Sequence, residues 1–170
     1  MRAGILTIST RGARGERQDE SGPAIQAMIL DAGGKVIQAH VIRDSQPDIE
    51  EILCTWADGH TMDLILTAGG TGFAPSDVTP EATRMVIERE APGLTEAMRA
   101  ASLRVTPYAM LSRAVAGIRG RTLIINLPGS PKAVRESLAV ILPVLPHAIA
   151  LLRETPGEDE RHAPPAAAQP

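Results

Sequence analysis

Cysteine, lysine and aromatic residues are nearly missing from this chain of 170 residues. Cys54 stands alone, so no intrachain disulfide can form. The four histidines, His40, His60, His147 and His162, lack the paired spacing of a structural zinc site. Trp56, Phe73 and Tyr108 are the only aromatic residues, which leaves few platforms for stacking unpaired bases and requires an aliphatic core. Lys35 and Lys132 are the only lysines, the arginines are interspersed with acids, and the formal net charge is -3. That pattern argues against nucleic acid as a partner, because such partners need a basic face. No basic leader precedes the first apolar segment, and no apolar stretch of about 18 residues is expected further along. The sequence therefore predicts a cytoplasmic protein that does not span a membrane.

Hydrophobic residues make up 44 % of the chain and charged residues 22 %, near globular averages. Length and composition predict one domain over residues 1–153, followed by a charged and then Ala/Pro-rich flexible tail over 154–170. Ala3 to Ser9 reads as a buried strand, Thr10 to Gln18 as a loop, and the segment from Pro23 to the Gly33-Gly34 stop as a helix. Lys35 to Ile42 alternates like a second strand, and Pro47-Asp48 opens a helix bearing Ile49, Ile52, Leu53 and Trp56. Met62 to Thr67 is a continuous apolar run, as in a strand covered on both faces.

Thr79-Pro80-Glu81 predicts a helix with a hydroxyl cap that runs to about Glu90. Pro92-Gly93 should break it, and Leu94 to Arg104 resumes helical spacing. Arg113 to Ile118 and Arg121 to Asn126 flank Arg119-Gly120 and predict an antiparallel hairpin. Ser130 and Pro131 open a further helix, and Val144 to Leu152 forms the last one. The alternation of strands and helices predicts an α/β fold with a mostly parallel, mixed sheet.

Three loops follow strands and so converge on one edge of the sheet, where α/β folds bind ligands. They carry Asp44, the Gly69-Gly70-Thr71-Gly72 run, and Pro128 to Pro131. The glycine run is either a tight turn or a nest of backbone amides for phosphate oxygens, and its position favours the nest. No lysine follows it at Walker spacing, and the dinucleotide fingerprint is incomplete. Asp44 and Asp77 near bound phosphates would repel them without a cation between, which points to a divalent metal such as magnesium. Lys132 lies in the first turn of its helix, where the dipole disfavours a cation; an anion held by Gly129, Ser130 and the helix amides would relieve that conflict, the other reading being a solvated lysine.

Taken together, these segments resemble a known family. Thr67 to Gly72, Asp77 to Ala82, Pro92-Gly93, Glu96, Arg99, Leu111 to Gly120 and Asn126 to Ala133 are similar, in order, to the signature stretches of the MogA/MoaB molybdopterin adenylyltransferases. The resemblance spans about residues 3 to 152. It implies a three-layer α/β/α fold, a homotrimer, and magnesium-dependent transfer of AMP from ATP to the terminal phosphate of molybdopterin, with release of pyrophosphate. It implies that Asp44 and Asp77 are the essential acids and that Gly69, Gly70, Thr71 and Gly72 contact nucleotide. It further implies that Ser112, Asn126, Pro128, Gly129, Ser130 and Lys132 line the pterin pocket, and that a molybdate-inserting enzyme is a transient partner. Thr10 departs from the pattern, since members commonly carry aspartate there, and Ser45 stands where acids are frequent. The competing reading is a paralogue that binds molybdopterin without transferring AMP.

Overall fold

The computed structural model describes residues 1–153, so the tail expected over 154–170 lies outside the described residues. Six strands form one sheet: β1 (Arg2–Ile8), β2 (Lys35–Ile42), β3 (Leu64–Ala68), β4 (Arg89–Glu90), β5 (Ala116–Arg119) and β6 (Thr122–Leu127). Their order is β2-β1-β3-β6-β5-β4. β2, β1, β3 and β6 run parallel, while β5 is antiparallel to both of its neighbours. The expected mixed sheet is present, and Arg119-Gly120 makes its hairpin, with Gly120 at φ 55°.

Alternation along the central strands builds two cores. Ala3, Ile5, Leu64, Leu66, Leu123 and Ile125 face one side, where they meet α2 (Ser21–Asp31), α5 (Pro92–Leu103), α6 (Pro131–Ile141) and α7 (Leu145–Arg153). Leu6, Ile8, Ile65 and Ile124 face the other, against α3 (Gln46–Asp58) and α4 (Thr79–Val86). Side chains at successive strand positions point to opposite faces, so a sheet covered on both sides needs an unbroken apolar run. Leu64 to Ala68 supplies one, with all five residues buried. Gly4 admits Trp56: a Cβ there would lie 2.7 Å from the indole Cε3. The result is the three-layer α/β/α sandwich.

Several local expectations change. The segment after β1 is not all loop, because Thr10–Ala13 forms a helical turn, α1, capped by Ser9 Oγ, which accepts from Gly12 N at 3.1 Å. α2 begins at Ser21 rather than Pro23, since Asp19 Oδ1 accepts the amides of Ser21 and Gly22. α4 ends at Val86, not near Glu90: Ile87 turns extended, and Arg89–Glu90 pairs with β5. Thr79 does not cap α4, because its hydroxyl donates to Gly69 O at 2.9 Å. Pro92 opens α5 instead of merely ending the previous helix. β5 begins at Ala116 rather than Arg113, because Arg113 turns inward to other partners described below.

The path Pro131–Arg153 is, by length and composition, long and apolar enough to cross a membrane, contrary to the expected absence of such a stretch. Val134, Leu138, Ile141, Leu145 and Ile149 on this path are buried against the sheet. A 3-10 turn at Leu142–Val144, carrying Pro143, separates α6 from α7. The packing therefore supports a core-covering role for this apolar stretch.

Candidate functional site

The order β2-β1-β3 places a topological switch between β1 and β3. The chain leaves β1 for one face of the sheet through α2, and leaves β2 for the other through α3. Loops diverge at such a point and open a crevice beyond the strand ends. Here that crevice is a cleft of about 620 Å³, bounded by the loop after β1, by Asp44, by Gly69-Gly70, by Ser76-Asp77 and by Gly129 to Pro131. Asp44, Asp77, Gly69, Gly70, Gly129 and Ser130, which are far apart in sequence, therefore meet in one place.

Asp44 is held by one carboxylate oxygen. Its Oδ2 accepts from Thr10 N at 2.9 Å and from Thr10 Oγ1 at 2.7 Å, while the Asp44 amide donates to Thr10 Oγ1 at 3.1 Å. Among the described residues none donates to Oδ1, which lies 3.4 Å from where a Cβ on Gly70 would stand. Asp77 is similar: Oδ2 accepts from Ala74 N at 3.0 Å, and no donor among the described residues meets Oδ1. Each acid thus keeps one hard oxygen available at the same cleft, a donor chemistry suited to a small divalent cation.

The glycines are required by geometry. Gly69 and Gly70 have φ of 105° and 63°, and a Cβ on Gly69 would lie 2.3 Å from Ile8 O. Thr79 fixes this bend from below, its amide donating to Gly70 O and its hydroxyl to Gly69 O. The loop after β6 leans against it, for a Cβ on Gly129 would be 3.3 Å from Gly69 Cα. Ser21 Oγ anchors that second loop by donating to Gly129 O at 2.9 Å.

A second, more apolar cleft of about 290 Å³ lies across these two loops, and Thr71, Gly72, Ser112, Pro128, Arg99 and Tyr108 contribute to its wall. The glycine run and the Pro128 to Pro131 loop thus form a ridge between two cavities. Ser112 presents Oγ there, which accepts from Ala114 N at 3.4 Å. Asn126 lies at the floor and is fully buried. Its Nδ2 donates to Thr67 Oγ1 at 3.0 Å and Thr83 Oγ1 at 2.8 Å, and its Oδ1 accepts from Val115 N at 3.0 Å. Those bonds occupy both amide hydrogens, so Asn126 shapes the floor. Ser130 Oγ accepts from Ala133 N at 3.2 Å and caps α6, as its position before Pro131 predicts. Lys132 lines neither cleft; its side chain is 80 % exposed and approaches Glu136 at 3.8 Å.

Residues outside the expected set also shape the site. Arg11 and Arg17 line the larger cleft, and neither has an ion-pair partner among the described residues. Arg113 supports the ridge from beneath. It donates from Nε to Gly72 O at 2.7 Å and from Nη2 to Asp77 O at 2.5 Å, and pairs through Nη1 with Glu81. Burial raises the Glu81 carboxyl, but the Arg113 hydrogen bond and charge, together with Arg84, bring it below its ordinary value. No local pattern reveals such a role, since two of the three side-chain partners are backbone carbonyls.

Comparison with known proteins identifies the family. The model of a probable molybdopterin binding domain matches residues 4–147. A molybdopterin adenylyltransferase of Helicobacter pylori strain J99 is 42 % identical over 151 residues, covering 88 % of this chain and 86 % of its own length. The chain belongs to the MogA/MoaB molybdopterin adenylyltransferase family. A solved family structure, the molybdopterin biosynthesis enzyme MoaB of Thermus thermophilus, superposes with a TM-score of 0.84 at 56 % identity, covering 89 % of this chain and 95 % of that one. The similarity extends into longer proteins: gephyrin of Dictyostelium discoideum is 45 % identical over 163 residues, which span 90 % of this chain but 23 % of gephyrin. The family assignment agrees with the resemblance carried by the glycine run, the Asp77 turn and the Asn126 to Ala133 segment.

Proposed function

We propose that this MogA/MoaB-family chain is a molybdopterin adenylyltransferase that joins the adenylyl group of ATP to the terminal phosphate of molybdopterin. The observation that carries the reading is the pair of clefts meeting at one ridge. The larger cleft, with two acids and the cationic side chains of Arg11 and Arg17, suits a metal-bound triphosphate. The smaller, more apolar one suits the pterin. A phosphate oxygen of molybdopterin attacks the α-phosphorus of ATP, the bond to the β-phosphate breaks, and pyrophosphate leaves. Because the second pKa of a phosphate monoester is about 6, the nucleophile is already anionic near neutral pH and needs no strong general base.

The work of the chain is then positioning and charge stabilisation. Asp44 and Asp77 would hold magnesium, which would neutralise the triphosphate and the departing pyrophosphate. Gly69 and Gly70 let backbone approach the phosphates, while Arg11 and Arg17 offer cations at the rim. Thr71, Gly72, Ser112 and Pro128 border the pterin side, with Asn126 setting its floor. Gly129 and Ser130 bound the nucleotide side, and Lys132, exposed at the start of α6 and facing Glu136, takes no part in either cleft.

The family resemblance carries two further expectations. One is a homotrimer, to which Val105, Tyr108 and Met110 could contribute, since they expose large apolar side chains near the smaller cleft. The other is transient delivery of product to a molybdate-inserting enzyme. The test of the main reading is pyrophosphate release from ATP and molybdopterin, with and without magnesium, in wild type, Asp44→Asn and Asp77→Asn. Magnesium-dependent release by wild type alone is expected. Molybdopterin binding without release by the wild type would identify a non-catalytic paralogue instead.

A further inference from the structure

The segment between Gly72 and Asp77 brings Ser76 and Asp77 into the larger cleft's wall. Phe73 to Ser76 are all exposed, and Phe73 has 66 % of its surface in solvent. The internal ties of this segment are short-range: Asp77 N donates to Ala74 O at 2.8 Å, and Ala74 N donates to Asp77 Oδ2 at 3.0 Å. Such bonds give a turn its shape without placing it against the rest of the molecule. Just beyond it, Val78 packs against the second core and Thr79 N donates to Gly70 O at 3.1 Å, while a single side chain ties its two ends together. Arg113 binds the carbonyls at both ends of the segment, Gly72 O and Asp77 O, and its own amide donates to Thr71 O at 2.9 Å.

We propose that Arg113 is the positioning residue that fixes Asp77 for metal binding, with Glu81 aiming its guanidinium. The inference rests on the assignment of Asp77 to the metal in the proposed function. Arg113 lines neither cleft, so it acts through the backbone it holds and not by touching substrate. The planar guanidinium carries donors in several fixed directions, and here three of them point at Gly72 O, Asp77 O and Glu81. A lysine ammonium retains the charge facing Glu81 but cannot span both carbonyls. Glu81 Oε2, meanwhile, is buried with no hydrogen-bond partner among the described residues. That carboxylate is therefore kept at a cost, consistent with service to Arg113.

The experiment measures Mn²⁺ binding by water-proton relaxation in the presence of ATP, on full-length wild type, Arg113→Met, Arg113→Lys, Asp77→Asn and the Arg113→Met/Asp77→Asn double variant. Folding of each is verified by near-ultraviolet circular dichroism and thermal unfolding. Removing a group that orients a metal ligand typically weakens metal affinity about 10- to 100-fold, and Arg113→Met should fall in that range, with Arg113→Lys between it and wild type. The double variant should bind no more weakly than Asp77→Asn alone, because Arg113 has nothing left to position. Wild-type affinity in folded Arg113→Met or Arg113→Lys would overturn the proposal, as would losses that simply add in the double variant. Failure of the wild type to bind Mn²⁺ would remove the metal assignment itself, and the inference with it.

Discussion

Asp63 shows how much a single residue can carry outside the functional site. Its side chain is only 4 % exposed at the amino end of the sheet, where it receives Arg2 and Arg153. Burial pushes the carboxyl up, yet the hydrogen bonds from Arg2 and Arg153 outweigh burial and hold it at about 2. Since the folded value lies below the ordinary 3.8, the contribution to stability is present above about pH 4 and is lost as the pH falls toward 2. It is worth on the order of 2 kcal/mol. Asp63→Asn should therefore lower stability at pH 7 by roughly that amount and flatten the acid limb between pH 4 and 2, as measured by urea unfolding across pH. An acid limb unchanged by the substitution would refute the assignment. Sequence alone could not single out Asp63, because its partners lie at the first residue of β1 and the last of α7. That Asp44 and Asp77 meet at one cleft was legible because strand-end position and proximity to glycines are local signals.

Between elements, the tie at Asn126 joins β6 to β3, α4 and the backbone before β5 through a single side chain. Asn126→Ala strands the Val115 amide and leaves the hydroxyls of Thr67 and Thr83 without their shared donor, all in the core. Each buried polar group deprived of its partner costs about 1 to 3 kcal/mol, so with three such groups a loss of at least about 3 kcal/mol is expected. The midpoint of urea unfolding should fall with its slope unchanged; a change below about 0.5 kcal/mol would show that water or repacking replaces the tie. Residue 126 sat inside an expected signature, but its hydrogen bonds were invisible because Thr67 and Thr83 come from different elements. Element existence was largely readable: β2 spans Lys35–Ile42 as its alternation predicts, and Pro131 opens α6 after its serine cap. Ends were less so. Helical spacing continued past Val86, where the demands of the sheet edge draw Arg89 and Glu90 into β4 and override it.

At the scale of the whole molecule, the two cores share one sheet, and this determines how the chain should come apart. β1, β3 and β6 each give alternate residues to both faces, so neither helical layer can leave without exposing strands that the other layer still needs. The α/β plan with a mixed sheet was legible from apolar runs and glycine stops, and its three layers from the family resemblance, but strand order was not, since pairing depends on crossovers that leave no local mark. Nor was the division of the site into two clefts, which follows from where the Gly69 and Gly129 loops touch. Trp56 reports directly on one core, being 6 % exposed on α3 with its ring centroid 5.3 Å from that of His40, whereas far-ultraviolet circular dichroism reports on helices of both layers. If the shared sheet makes the domain one cooperative unit, the fluorescence and dichroism transitions in urea coincide, and magnesium with ATP moves both to higher urea by the same increment. A fluorescence transition that came first would show that α3 and α4 detach from a sheet still covered by α2, α5, α6 and α7. Because α4 follows the turn bearing Asp77, such early detachment would also abolish nucleotide-dependent stabilisation of the later transition.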